Sequence, residues 1–364
     1  MESTAMSVGT LPLGAVHGDR SSLGRVALLM LLAALAVVAV LSLGVGPSGL
    51  SAGQVLGILA NGPTAQGTHA GDVLIVWQIR LPRMVMGALV GASLATAGAV
   101  MQGLFRNPLA DPGLVGVSSG AALAAVSTIV LGQTVLAPLV WFLGSYTLPL
   151  AAFAGGLVFT LILHAIATRE GHTSVATMLL AGIALGAFAA AATGLLVYIS
   201  SDQQLRDITF WSLGGLSGAS WTKLAAGGPI MLLVLLAMPA LGRGLNAIVL
   251  GEAEAFHLGI PVQRLKRMAI FLTAAATGAA VASAGVIGFI GIVVPHLLRL
   301  PMGADHRQLL PASALLGAVL LLLADMLARV VVAPAELPIG IITAALGAPF
   351  FLWMLLRNRG VVGD

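Results

Sequence analysis

The stretch that decides the fold runs Met84-Val-Met-Gly-Ala-Leu-Val-Gly-Ala-Ser-Leu-Ala-Thr-Ala-Gly-Ala-Val-Met-Gln-Gly-Leu104 and contains no charged side chain. About 20 such residues in a helix cross the hydrocarbon core of a bilayer. The rest of the chain has the same character, since 59% of its 364 residues are hydrophobic and 8% are charged. A soluble domain has about 25% charged residues, so this chain has too few to cover a water-exposed surface. The sequence therefore predicts an all-α, polytopic membrane protein.

Nine further apolar runs bring the number of predicted membrane spans to ten. The ten spans are predicted at 26–43, 84–104, 114–131, 139–167, 175–199, 226–242, 267–284, 287–300, 309–330 and 339–356. Residues 1–22 are polar and are predicted to form a cytoplasmic tail, and residues 23–360 to form one transmembrane domain. Residues 47–79 are predicted to be an external excursion with one short helix.

One of these runs, 287–300, is too short for a full crossing. It contains Gly288, Gly291 and Pro295, which interrupt a helix. Backbone groups freed in this way inside a membrane need protein or water partners. We therefore expect a broken helix here.

The basic residues predict the orientation of the bundle. With both termini in the cytoplasm, ten spans leave twelve Lys and Arg residues inside and five outside. Cytoplasmic loops normally carry such an excess, so we expect a multi-pass membrane protein, surrounded by lipid, with both termini in the cytoplasm. The same distribution explains the net charge of +4 without a nucleic-acid partner, and the absence of cysteine excludes thiolate metal sites.

Enzymatic motifs are missing from the sequence. It has no Gly-x-x-x-x-Gly-Lys-Ser/Thr phosphate loop and no His-Glu-x-x-His. We therefore expect a chain that is not an enzyme and that binds no metal or cofactor itself. A proton relay is also disfavoured, because Asp325 and His164 are the only candidates and both lie near predicted span ends.

The most unusual loop is 243–266, which contains Gly251-Glu-Ala-Glu-Ala-Phe-His-Leu-Gly-Ile-Pro261. Apolar and aromatic side chains recur there at helical spacing, from Ala253 through Phe256 and His257 to Ile260. This pattern predicts a short amphipathic helix outside the membrane. Such a helix packs either on its own protein and lipid headgroups or in the groove of a soluble partner.

Three arginines mark the predicted external side. Arg80 and Arg83 flank a proline where a span begins, and Arg329 follows Asp325 by four positions, which predicts a local ion pair. Fixed cations at this boundary either anchor lipid headgroups or receive the acidic groups of a partner.

Several motifs together resemble one transporter family. They are Arg80-Leu-Pro-Arg83, Gly98-Ala-Val-Met-Gln-Gly-Leu-Phe-Arg-Asn-Pro-Leu-Ala-Asp-Pro-Gly-Leu-Val-Gly116, Gly251-Glu-x-x-Ala-x-x-Leu-Gly259, Gly288-Phe-Ile-Gly-Ile-Val-Val-Pro-His-Leu-Leu-Arg299, Asp305-His-Arg-x-Leu-Leu-Pro311, Ala324-Asp-x-x-Ala-Arg329 and Glu336-Leu-Pro-Ile-Gly340. In this order they resemble the iron-chelate, cobalamin and haem permeases of type II ABC importers. The resemblance implies a location in the bacterial inner membrane and a homodimer with a central pathway. It also implies two ATPase subunits that hold ATP and Mg²⁺, and a periplasmic substrate-binding protein.

The resemblance also implies roles for particular residues. The binding protein is expected to dock at Arg80, Arg83 and Arg329. Helices at about 244–264 are expected to couple the permease to the ATPase. The residues expected to contact the ATPase are Glu252, Ala253, Phe256, Leu258 and Gly259. The cytoplasmic gate is expected at Ser174, Val175, Ala176 and Thr177. Val175 and Ala176 occupy positions where the resemblance leads us to expect hydroxyl residues.

The cargo is the last expectation. The segment Tyr198 to Trp221 resembles the haem-importing members, and a planar amphiphile with two propionates suits an apolar pathway with a cation such as Arg206 or Arg329 near its mouth. Ferric siderophores and cobalamin are the alternatives within the family. An ion-coupled secondary transporter and a structural membrane subunit are more distant alternatives.

Overall fold

The computed structural model of the chain describes residues 21–46, 49–63, 70–170 and 172–357, which form sixteen α-helices and one β-hairpin. The helices are α1 (Ser21–Gly44), α2 (Ala52–Asn61), α3 (Ala70–Leu74), α4 (Leu81–Phe105), α5 (Val117–Leu131), α6 (Ala137–Leu143), α7 (Thr147–Ala167), α8 (Val175–Tyr198), α9 (Asp202–Ser212), α10 (Trp221–Ala237), α11 (Gly242–Leu250), α12 (Glu252–His257), α13 (Val262–Ala284), α14 (Ile290–Met302), α15 (His306–Val330) and α16 (Ile339–Arg357). The hairpin pairs β1 (Thr168–Arg169) with β2 (His172–Thr173) in antiparallel register, Thr168 opposite Thr173. The all-α prediction is confirmed.

Ten apolar helical segments of the described chain correspond in order to the ten predicted spans. Seven are long enough to cross a membrane and three are shorter. The seven long segments are Gly24–Gly44, Ala70–Phe105, Ala137–Ala167, Val175–Tyr198, Trp221–Leu250, Val262–Ala284 and His306–Val330. The three shorter ones are Val117–Leu131, Ile290–Met302 and Ile339–Met354. The predicted tail 1–22 lies outside the described residues except for Ser21 and Ser22, which already belong to α1.

One predicted boundary was wrong, and one span has an irregular turn inside it. The predicted span 139–167 corresponds to Ala137–Ala167, in which Gly144 adopts a positive φ of 52° between α6 and α7. The predicted external excursion 47–79 contains α2, but its last part already belongs to the helix that crosses. A π-helical turn over Ile75–Arg80 joins α3 to α4 without a break, and Pro82, which has no N–H to donate, directly follows this irregular turn.

Helix α4 forms the centre of the bundle. It packs against α10, α13, α14 and α15, and most of its length is buried. Two glycine pairs make this packing close: a Cβ on Gly98 would lie 1.9 Å from the carbonyl oxygen of Gly291, and one on Gly91 would lie 2.3 Å from that of Gly317. Without a hydrophobic driving force between helices in lipid, such small residues allow the backbone contact that holds them together.

The expected break is present, but it lies before the helix and not inside it: Gly288 belongs to the break, whereas Gly291 and Pro295 lie within the continuous helix α14. Helix α13 ends at Ala284, and the chain passes through Gly285 and Phe289, both at positive φ, before α14 begins at Ile290. The freed carbonyl oxygen of Ala284 accepts a 2.7 Å hydrogen bond from the backbone N–H of Gly215. Protein groups therefore replace the helical partner, as the bilayer requires.

Candidate functional site

The predicted docking arginines lie in a buried ionic cluster at one end of the bundle. This arginine cluster consists of Arg80, Arg83, Asp325, Arg329 and Glu336, where α1 and α15 end and α4 begins. A chain with 8% charged residues thus concentrates five of them at one place.

Two members of the arginine cluster close the C-terminus of α1. Arg80 donates to the carbonyl oxygens of Leu43 and Gly44, and Arg329 donates to that of Ser42 at 3.1 Å. The last carbonyls of a helix have no intrahelical partners and carry a partial negative charge. These guanidinium groups supply both the hydrogen bonds and the opposite charge.

The third arginine joins the two carboxylates. Arg83 donates to Asp325 Oδ1 at 2.9 and 3.0 Å and to Glu336 Oε1 at 2.9 Å. The predicted pair between Asp325 and Arg329 is confirmed, with Arg329 Nη2 3.1 Å from Asp325 Oδ2. Asp325 is completely buried and serves both arginines.

This geometry corrects one expectation from the sequence. The surface exposure of Arg80, Arg83 and Arg329 is 6%, 7% and 4%, so they do not form an open cationic surface in this conformation. The reason is long-range pairing, which neutralises them inside a medium where an unpaired charge is expensive. Their docking role stays a prediction, and it now requires an exchange of partners.

The opposite end of the bundle carries the predicted coupling helix. Gly251, at a φ of 132°, breaks α11 from α12, which covers Glu252–His257. Ala255 is completely buried, whereas Phe256 and Leu258 are 70% and 63% exposed. The short helix predicted in loop 243–266 is thus present, and it presents two large apolar side chains outward.

A buried lysine ties this helix to the start of α8. Lys266 is 3% exposed; its Nζ lies 2.7 Å from Glu252 Oε1 and donates to the carbonyl oxygen of Thr173 at 3.1 Å. Gln263 Oε1 accepts from the backbone N–H of Thr173 at 3.1 Å. We call Glu252, Lys266, Gln263 and Thr173 the Lys266 junction. No pattern in the sequence assigned a role to Lys266.

The predicted gate residues come directly after Thr173 of the Lys266 junction in the chain. Ser174 caps α8, because its Oγ accepts from the N–H of Thr177 at 3.3 Å. Ser174, Ala176 and Thr177 are exposed and Val175 is half-buried. A cavity of about 280 Å³ is lined by residues from both regions, among them Ser174, Val175, Glu252 and Lys266. The candidate coupling and gating segments are therefore neighbours.

A second tie holds α11 to the start of α15. Asn246 Nδ2 donates to Asp305 Oδ1 at 2.6 Å, and Asn246 Oδ1 accepts from the N–H of His306 at 2.9 Å. Hydrogen bonds from Arg307 hold the pKa of Asp305 well below its usual range. The carboxylate stays ionised and caps α15.

No group of three His, Cys, Asp or Glu side chains that could hold a metal ion occurs among the described residues. The expectation that the chain binds no cofactor stays a prediction.

Comparison with known proteins places this geometry in a family. The chain matches the FecCD transport family over residues 34–357. It is 50% identical over 285 residues to the hemin transport system permease protein HmuU of Yersinia pestis, across 78% of this chain and 84% of that protein. It is 48% identical over 290 residues to the vitamin B12 import system permease protein BtuC of Escherichia coli O9:H4 (strain HS), across 79% of this chain and 85% of that protein.

Solved structures agree with the sequence matches. An inward-facing conformation of a metal-chelate type ABC transporter matches at 32% identity with a TM-score of 0.79, covering 92% of this chain and 99% of that one. PsaBC from Streptococcus pneumoniae, solved in complex with Fab, matches at 16% identity with a TM-score of 0.51, covering 75% of this chain and 90% of that one, and shares the fold alone. The chain belongs to the FecCD transport family and is an ABC importer permease.

Proposed function

We propose that the chain is the transmembrane subunit of an ATP-driven importer that moves haem, or a related iron chelate, from the periplasm to the cytoplasm. Two copies enclose the pathway, two ATPase subunits bind α12, and a periplasmic binding protein docks near the arginine cluster. Both termini lie in the cytoplasm of a bacterial cell. The observation that carries this proposal is the direct connection of a surface helix with exposed apolar side chains to the start of α8 through Lys266.

The ATPase contact is assigned to the outer face of α12. Phe256 and Leu258 are large, apolar and exposed outside the spans, and they need a groove that excludes water. A cleft of about 520 Å³ beside them is lined by residues that include Ala253, Phe256 and Arg264. An ATPase groove that grips this helix would move it when the ATP-bound ATPase pair closes.

The Lys266 junction then passes the motion to the gate. Lys266 holds Glu252 of α12 by an ion pair and the carbonyl of Thr173, one residue before Ser174, by a hydrogen bond. A displacement of α12 therefore pulls on the N-terminus of α8 through two short contacts. Ser174 to Thr177 form the narrow part of the pathway in this proposal.

At the end with the arginine cluster, we assign docking of the binding protein to the replacement of one carboxylate by another. The arginine cluster contains three cations and two anions, and Glu336 is its most exposed member, with 33% of its side chain accessible. An acidic residue of the binding protein that displaces Glu336 would pair with Arg83 and free the segment after α15. Several such pairs orient a partner and speed its encounter more than they add affinity.

The second copy is assigned to the surface of α8. Only 11% of its most apolar window is buried inside the subunit, and its exposed positions include Ala184, Ala187, Ala191 and Gly194. Small residues allow two helices to approach closely and to shift by modest tilts. A pathway at this seam begins next to the gate segment.

Haem is favoured as cargo by the hemin permease relative and by a cavity of about 500 Å³ at the end that carries the arginine cluster. Phe210, Trp211, Lys223 and Asp207 are among its lining residues, and no ion pair joins this lysine to a carboxylate of the described residues. Aromatic faces and one cation suit a planar ring with carboxylates. Lys223 replaces Arg329, which is buried, as the expected cation.

Reconstitution tests this function. Liposomes that contain the permease, its ATPase and its binding protein are given ATP with haem, cobalamin or a ferric siderophore. We expect uptake of haem that depends on ATP and on both partners. Uptake of a competitor with haem excluded would overturn the cargo, and uptake driven by an ion gradient without ATP would overturn the importer proposal itself.

A further inference from the structure

A cleft of about 620 Å³ lies between α7 and α13, next to the end of α10. Its apolar wall has no role in the sites described above, whereas Arg264 and Arg267 at one end of it also line the cleft beside α12. Seven of its eleven lining side chains are apolar. Leu161, Met268 and Phe271 among them are 51%, 47% and 55% exposed. The apolar side of the cleft is therefore open to the outside of the subunit, where the spans contact the hydrocarbon of the bilayer.

One end of this cleft is basic. Arg264 and Arg267 lie in the first two turns of α13, three positions apart on one face, and His164 lies in the last turn of α7. Both arginines are exposed, and neither has a hydrogen-bond or ion-pair partner among the residues that the structure describes. In the arginine cluster, by contrast, every guanidinium group is paired.

The depth of the basic end fits a lipid headgroup. Helix α7 ends at Ala167 and α13 begins at Val262, so both arginines lie where two spans leave the membrane. Basic pockets between transmembrane helices at this depth bind anionic headgroups, and guanidinium groups match phosphate oxygens in pairs. An acidic protein segment would match the arginines but not the apolar wall that continues below them.

We propose that this cleft binds one anionic phospholipid. Arg264 and Arg267 hold the phosphodiester, and an acyl chain lies against Leu161, Met268 and Phe271. Lys266 stands between the two arginines in sequence but points into the protein toward Glu252. The bound lipid therefore supports the outer face of the same helical turn whose inner face forms the Lys266 junction.

The test is native mass spectrometry of the detergent-purified full chain titrated with phosphatidylglycerol, phosphatidylcholine, diacylglycerol or inorganic phosphate. We expect one tightly retained phosphatidylglycerol and weak retention of the other three probes. The double substitution Arg264→Gln and Arg267→Gln should weaken phosphatidylglycerol binding about tenfold or more. Its matched control is Arg169→Gln with Arg243→Gln, which removes two exposed arginines from the same end of the bundle but outside the cleft and should leave binding unchanged.

Three results would overturn the proposal. Equal loss in the control pair would mean that general charge attracts the lipid. Retention of phosphate alone as strongly as the lipid would mean an anion site without a role for the apolar wall. Unchanged lipid binding in the Arg264 and Arg267 variant, together with weaker binding of the ATPase subunit, would assign these arginines to a protein contact instead. A melting temperature within a few degrees of wild type checks that the variant is folded.

Discussion

The arginine cluster and the Lys266 junction are both buried ionic sites, but they differ in how completely they are closed. In the arginine cluster, three guanidinium groups share two carboxylates and the terminal carbonyls of α1, and the central carboxylate of Asp325 is completely buried. In the Lys266 junction, one buried ammonium group holds Glu252, whose side chain is 42% exposed on a short surface helix.

This difference suggests different mechanical behaviour. A closed cluster resists displacement, because each broken contact leaves a buried charge without a partner. In an ion pair with one exposed member, a partner protein can pull on the exposed residue. The pair then either breaks or moves as a unit. We therefore expect the first site to hold the ends of α1, α4 and α15 in place and the second to transmit motion.

The largest expected effect is on stability at the arginine cluster. Asp325→Ala removes the carboxylate that serves both Arg83 and Arg329, and should lower the free energy of unfolding by about 3–5 kcal/mol. Thermal unfolding of the detergent-solubilised protein measures this loss. Asp207→Ala, at an exposed carboxylate, is the control and should change stability by less than about 0.5 kcal/mol. Equal effects of the two changes would remove the distinction between a closed cluster and a surface charge.

The next effect is on transport at α12. Ala253→Trp should abolish most ATP-driven uptake, about tenfold or more, because the larger side chain no longer fits the ATPase groove. Insertion and thermal stability should stay close to wild type, since Ala253 lies on the outer surface. Ala253→Ser adds little volume and serves as the control. Wild-type uptake by Ala253→Trp would exclude this face of α12 from coupling.

A smaller effect is expected at the centre of the Lys266 junction. Lys266→Met keeps an unbranched side chain, one heavy atom shorter, but removes the ion pair with Glu252 and the hydrogen bond to Thr173. Haem uptake per ATP hydrolysed should fall several-fold, with a loss of stability of about 1–3 kcal/mol, below that of Asp325→Ala. Glu252→Gln retains a hydrogen-bond acceptor and should have a milder effect. Unchanged uptake per ATP in Lys266→Met would make this lysine purely structural.

The smallest effect concerns docking. Glu336→Gln removes the carboxylate that competes with an acidic residue of the binding protein for Arg83. The binding protein should therefore bind about two- to fivefold more tightly, a difference of less than 1 kcal/mol. Added salt should weaken binding in both forms. Titration of the binding protein onto the permease in nanodiscs measures both. Weaker binding to Glu336→Gln would contradict the exchange of carboxylates.

Local patterns in the sequence predicted more than long-range contacts did. The apolar runs, the broken segment before α14 and the pair of Asp325 with Arg329 all depend on neighbours within one helix or one loop. Helix α9 was missed, although Ser201 and Gln204 form a capping box that marks its start. That signal was present and is local.

The partners of the functional side chains depend on the tertiary fold. Arg83 pairs with Glu336 across 253 positions, and Lys266 reaches Thr173 across 93. No spacing rule connects such residues, so the sequence suggested exposed arginines where the structure has buried ones. Burial of Lys266 likewise follows from the neighbours that pack around the start of α13.

The central claim is that α12 moves the gate through Lys266, and a distance measurement tests it most directly. The chain contains no cysteine, so spin labels can be placed at Glu254→Cys, an exposed position of α12 outside the proposed ATPase contact, and at Thr177→Cys. In the complete importer, ATP binding should move both labels together relative to a label at Ile79→Cys near the arginine cluster. With Lys266→Met, the label on α12 should still move and the label at position 177 should stay. Equal movement of position 177 with and without Lys266 would contradict the account.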